Sequence, residues 1–182
     1  MYPRAYIEFL MHFHGDRDYF ECHEVLEEYW KEVDPNNKQS IWVGLILLAV
    51  SNYHQRRENF LGAKKTIDKS IAILNNQKNK LLHLGIDAEK FLNDLILRQQ
   101  AIAIEKPYSS YTIPLTDPML IESCKAGCSD LGFIWGSASD LNNSKLVHRH
   151  SARDRSNVIQ ERLDALKRNA RFIQKHTEKG SE

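Results

Sequence analysis

Hydrophobic positions recur at helical spacing through most of the chain, so the pattern predicts an all-α protein. Residues 2–14 read as a first helix, with Phe9, Leu10 and Phe13 on its apolar side and Gly15 placed to end it. A second follows, opened by Asp16 or Asp18 as amino cap and stopped before the turn cluster Asp34, Pro35, Asn36, Asn37. Residues 38–58 form a third, apolar on nearly every side from Ile41 to Val50, which is the mark of a helix buried all round.

Asn59 caps a fourth helix with Ala63, Ile67, Ile71 and Leu74 as its buried stripe, and the small pair Gly62 and Ala63 suits close helix approach. After a polar break at 75–80, Leu81 to Gly85 reads as a single turn. Asp87 then caps a helix to about Ile104 that packs through Phe91, Leu95, and Leu97 or the stem of Arg98. This gives a bundle of about five helices over residues 1–105. Pro107, Pro114 and Pro118 bar a long helix over 106–118, which is a strap if Tyr108, Tyr111 and Ile113 are buried and a linker if they are not. Residues 119–182 form a helical extension: a short helix over 119–131, then an amphipathic helix opened by the capping box of Ser151 and Asp154 and running to about His176, before a disordered tail.

The second helix holds the densest chemistry. At about 100° per residue, Phe20, His23, Glu27 and Trp30 share an arc with Leu26 and Tyr19 beside them, and this arc is expected to face the core. His23 and Glu27 then sit one turn apart on a buried face, where a charge needs a partner. Asn52, Tyr53 and Arg56 are the expected partners, because a third helix antiparallel to the second returns them toward its amino half. Three accounts fit the cluster. The leading one is a buried polar network of Glu21, His23, Glu24, Glu27, Asn52, Tyr53 and Arg56 that specifies the fold. The second is a metal-dependent, hydrolase-like enzyme with His23 and Glu27 as ligands and Glu24 as base, although the pattern lacks the second histidine of the zincin helix. The third is metal-free acid–base work by His23 with Glu24 or Glu27.

These residues also carry a resemblance. Phe20, Glu21, His23, Glu24, Glu27 and Trp30, with Tyr53, His54, Asn59, Gly62 and Ala63 further on, resemble the all-helical bacterial and archaeal family catalogued as domain of unknown function 309. The likeness runs from about Phe13 to Leu74 and implies a helical fold and no particular activity. Where that family often has Gly before the asparagine, this chain has Glu58, which argues against a left-handed turn at that position.

Composition narrows the function classes. The 182 residues are 42% hydrophobic and 27% charged, with a net charge of +1, so no global field draws the chain to nucleic acid or an anionic membrane. The apolar run Ile41 to Val50 is too short to span a bilayer, and the amino terminus has no secretory pattern. Three cysteines without framework spacing suit reduced thiols, so the cytosol is the expected compartment. Cys124 and Cys128 with His148 and His150 have an unusual spacing for zinc, and an apolar thiol cluster is the plainer reading. Arg149, Arg153 and Arg155 approach the last helix as a basic patch that would suit an anion or RNA, but no aromatic platform accompanies them. The sequence thus favours an interaction or scaffold module without a cofactor, a divalent metal being the one cofactor its donors would accept. Its carboxyl-terminal helix would serve a protein partner or a second copy.

Overall fold

The computed structural model describes residues 1–149. The chain divides into two compact units, Met1–Val147 and His148–Glu182, and the fold described here is that of the first. All eight helices among the described residues belong to it, and the β-structure described there amounts to one isolated bridge. The amphipathic helix expected over 151–176 and the tail lie outside the described residues. The boundary expected near residue 105 falls inside the first unit, because the strap and the helix after it fold onto the bundle.

Helix α1, Arg4–His14, ends at Gly15, where an added Cβ would meet the Met11 carbonyl at 2.6 Å. Helix α2, Tyr19–Val33, begins at Asp18, whose side chain accepts from the amides of Phe20 and Glu21. Helix α3, Ile41–Arg56, runs antiparallel to α2: Phe20 lies 6.1 Å from Tyr53 at one end and Tyr29 lies 5.1 Å from Trp42 at the other, ring to ring. Its buried face carries Ile41, Leu45, Leu48 and Ala49, but Trp42, Val43, Leu47 and Val50 are only half-buried, so α3 is not enclosed all round.

Helix α4, Phe60–Asn75, is capped by Asn59 and packs closely on α3. The close approach is made at Gly44, where a Cβ would lie 2.6 Å from Leu74 Cδ2, rather than at Gly62. Ser70 donates to the Gly44 carbonyl and Ser51 to that of Ala63, so small hydroxyls fill the seam. The turn before α4 is left-handed at Glu58, φ 58°, against the sequence expectation: the carboxylate residue takes the conformation that glycine adopts without strain.

Helix α5, Lys78–His83, starts earlier than the polar break suggested, and α6, Ala88–Ala103, is capped by Asp87. Phe91, Leu92, Leu95 and Ile102 bury its inner side, whereas Leu97 is exposed. Residues 106–117 then lie against the bundle as a strap. Tyr108 and Ile113 are buried, and Leu115 bridges Ile86. The Asp87 amide donates to the Pro114 carbonyl at 2.9 Å and the Thr116 amide to that of Gly85 at 2.8 Å. Helix α7, Pro118–Asp130, packs on α1 through Leu120, Cys124 and Cys128, and α8, Ser144–Val147, ends the unit.

Candidate functional site on helix α2

Helix α2 presents three different faces. Tyr19, Cys22 and Leu26 are fully buried and form its core stripe. The arc of Phe20, His23, Glu27 and Trp30 lies roughly 90° round from that stripe on a helical wheel, and all four are half-buried. The expectation that this arc faces the core is therefore corrected. Phe20 and Trp30 pack on the margin of the core, and their size, which suggested full burial, instead lets them cover an edge while the residues between them reach water.

On that flank His23 is held between two carboxylates. Its Nδ1 lies 3.1 Å from Glu24 Oε1 and its Nε2 lies 3.3 Å from Glu27 Oε2, with side chains about a third exposed. Lys31 Nζ meets the other Glu27 oxygen at 3.1 Å. One donor atom each from His23, Glu24 and Glu27 can be chosen so that all lie within 4.8 Å of one another. A neutral imidazole has one N–H, so it donates to one carboxylate while its other nitrogen meets oxygen lone pairs. Facing both carboxylates favourably takes a second proton or a cation. The Phe20 ring stands 6.2 Å from that of His23 and walls one side of the cluster.

The third face borders a groove of about 630 Å³ between the start of α1 and the outer side of α2. Glu8, Glu21, Glu28 and Glu32 line it against a single arginine, Arg4, with Tyr2, Val25 and Tyr29 as its apolar part. Helical spacing explains the division: Glu21, Glu28 and Glu32 project from the side of α2 away from His23. The sequence reading named Glu21 but assigned it to the buried network, and it missed Glu8 and Glu32, which only the α1–α2 packing brings together.

Two of the expected network partners turn elsewhere, Asn52 to the strap and Arg56 to residues 17, 139 and 146. Asn52 donates to the Tyr111 hydroxyl at 3.1 Å. Arg56 donates to the Arg17 carbonyl at 2.7 Å, the Ser139 hydroxyl at 3.1 Å and the Leu146 carbonyl at 2.9 Å, its guanidinium 5.1 Å from the Tyr19 ring centroid. Tyr53 meets Phe20 of α2 ring to ring. A buried polar network does exist, but it is centred on Arg17, which is 1% exposed and donates to the carbonyls of Phe13, Tyr111 and Ser137. Arg98 extends it, bonding Gln55 Oε1 and the Ser109 carbonyl, both at 2.8 Å, and lying 3.7 Å over the Tyr111 ring. Gln55 holds the Lys106 carbonyl, and the Tyr19 and Tyr108 hydroxyls share a short hydrogen bond. Nothing local in the sequence marks Arg17, which lies between two acidic residues in an inter-helix turn.

The remaining candidates separate. Cys22, Cys124 and Cys128 are free thiols, and burial pushes Cys124 up to about 12, so these thiols stay protonated. His54 Nδ1 accepts from Asn59 Nδ2 at 3.0 Å, and burial, then the Arg57 charge, lowers the His54 pKa. Arg149 is exposed, while His150, Arg153 and Arg155 lie outside the described residues.

The model of one family, described as domain of unknown function DUF309, matches residues 6–66, from α1 into α4. The uncharacterized protein YpuF of Bacillus subtilis (strain 168) is 43% identical over 168 residues, covering 92% of this chain and 97% of that protein. The chain belongs to the DUF309 family. Every residue of the α2 cluster lies within the matched segment of this DUF309 protein, and the likeness to YpuF continues past the strap. No solved structure matches the chain. Neither the description of the family nor the name of the relative states an activity, and among the described residues no helix is long and apolar enough to cross a membrane.

Proposed function

We propose that this DUF309 protein is an interaction module of the cytosol, with the α1–α2 groove as its binding surface and a basic segment of a protein partner as the occupant. One observation carries the reading: four glutamates and two tyrosines line a groove of about 630 Å³ that contains one arginine. Like charges so close raise the energy of the empty groove, and a lysine- or arginine-rich segment relieves that repulsion as it docks. Tyr2 and Tyr29 supply the flat amphipathic area that binding surfaces use, with little side-chain entropy to lose. Support also comes from the division of labour along α2. The polar network that orders the fold sits at Arg17, Arg56 and Arg98, on other elements than the groove. Three unpaired thiols agree with a reducing compartment.

The test is fluorescence anisotropy of a labelled Lys/Arg-rich amphipathic peptide titrated with the full chain. Saturable binding should weaken at least tenfold in Glu28→Lys/Glu32→Lys and stay unchanged in Glu89→Lys, a charge reversal on α6. Equal binding by both variants would reduce the effect to diffuse electrostatics and end the proposal. Self-association through the groove, detected by sedimentation and removed by the same double variant, would replace the partner with a second copy.

A further inference from the structure

The flank of α2 opposite the groove has a geometry that the interaction reading does not use. His23 Nε2 and Glu27 Oε2 face each other at 3.3 Å. With metal–ligand bonds of 2.0–2.1 Å, that separation corresponds to a ligand–metal–ligand angle of about 105°, close to tetrahedral. The other ring nitrogen is 3.1 Å from Glu24 Oε1, the position from which a carboxylate fixes the tautomer and orientation of a ligating histidine. Lys31 engages Glu27 through Oε1, so Oε2 is the oxygen turned to the imidazole.

We propose that His23 Nε2 and Glu27 Oε2 bind one divalent first-row transition metal ion of the zinc type, and that Glu24 is the positioning residue, accepting from Nδ1–H. The donor set excludes a magnesium or calcium preference, because those ions take oxygen ligands and an imidazole replaces one poorly. Coordination moves no electrons and breaks no covalent bond. With the ring's one proton on Nδ1, Nε2 offers its lone pair directly to the cation and no N–H bond has to break. The positions left over point outward, because all three side chains are about a third exposed, and water fills them. The site therefore resembles an open metal centre and differs from a closed structural one. One short helix segment supplies both ligands, so α2 needs no rearrangement to form the site.

The experiment is calorimetric titration of zinc chloride into the tag-free, chelator-treated full chain, with cobalt as a spectroscopic substitute. Wild type is expected to take up one equivalent with micromolar affinity, and the cobalt form to show visible d–d absorption without a thiolate charge-transfer band. His23→Ala and Glu27→Ala should each abolish uptake, whereas Glu24→Ala should weaken it ten- to a hundredfold with an unchanged melting temperature. His12→Ala, which removes the separate imidazole beside Asp16, should bind as wild type does. No saturable uptake by wild type, uptake that survives His23→Ala, or a thiolate band would each overturn the proposal. Because circular dichroism of every variant is recorded alongside, loss of metal can be told from loss of fold. The peptide titration with Glu28→Lys/Glu32→Lys does not depend on the result.

Discussion

Lowering the pH from 7.5 to 5 should destabilise the protein, through His14 above all. Its ring is 1% exposed, both ring nitrogens lack a hydrogen-bond partner, and it stacks 4.3 Å from Trp135 with an interplanar angle of 9°. Burial, then the neighbouring Arg17 charge, lowers its pKa from 6.5 to about 3. The folded state thus resists a proton that the unfolded chain accepts, so the stabilisation is fully present above pH 6.5 and is lost as pH falls toward 3. Linkage between those two values gives a loss of about 2 kcal/mol by pH 5. His54 shifts in the same direction. His12 does the opposite: burial lowers its pKa, but the hydrogen bond and charge of Asp16, with the charges of Glu21 and Asp18, more than offset this, so its contribution is lost as pH rises. Comparing wild type with His14→Phe cancels both. Phenylalanine keeps an aromatic ring against Trp135 and has no nitrogen to titrate. Urea unfolding followed by circular dichroism at both pH values should show the wild type losing about 2 kcal/mol more than the variant. Parallel curves, within about 0.5 kcal/mol, would refute the reasoning and mean that His14 reaches solvent or a proton acceptor in solution.

The buried network and the helix seam give further expectations. Arg17→Met leaves the Phe13, Tyr111 and Ser137 carbonyls without their donor and should cost about 3–5 kcal/mol in urea unfolding, with the strap at 106–117 becoming the first site cut by trypsin or chymotrypsin. Gly44→Ala drives a methyl to 2.6 Å from Leu74 Cδ2 and should cost about 1–3 kcal/mol, read as a lowered melting temperature. Asn59→Ala removes the side-chain cap on the Gly62 amide and should cost about 1 kcal/mol by the same measurement.

Helical periodicity and cap residues were enough to read most of the bundle. Gly15, Asp18, Asn59 and Asp87 stand where the helices begin or end because their local chemistry alone decides it. The sequence left residues 106–118 open between strap and linker, and Tyr108 and Ile113, buried in the structure, are the residues on which that choice turns. The phase of α2 was not legible. Phe20 and Trp30 drew the centre of the buried face toward themselves, although Tyr19 and Leu26 beside that arc, with Cys22, are the residues that lie deepest. That error carried the polar network with it, because Asn52 and Arg56 have the chemistry to meet His23 and Glu27, and only the tertiary path of the strap and of the segment after α7 shows that they meet Tyr111, Ser139 and Leu146 instead. Glu58 shows the limit of conformational preference: a cost near 1 kcal/mol at one left-handed residue is small beside the burial gained by the helices on either side.

The central claim is that α2 carries a surface site while the fold is held by the arginine network beneath the strap. Urea unfolding of His23→Ala/Glu27→Ala beside Arg17→Met, in the presence of chelator, tests it most directly. Ion pairs about a third exposed contribute little, so the account predicts a change below about 1 kcal/mol for the double variant and several times that for Arg17→Met. A loss of about 3 kcal/mol or more in the double variant, with a native-like Arg17→Met, would contradict it and return the signature residues to the role of fold-holding network.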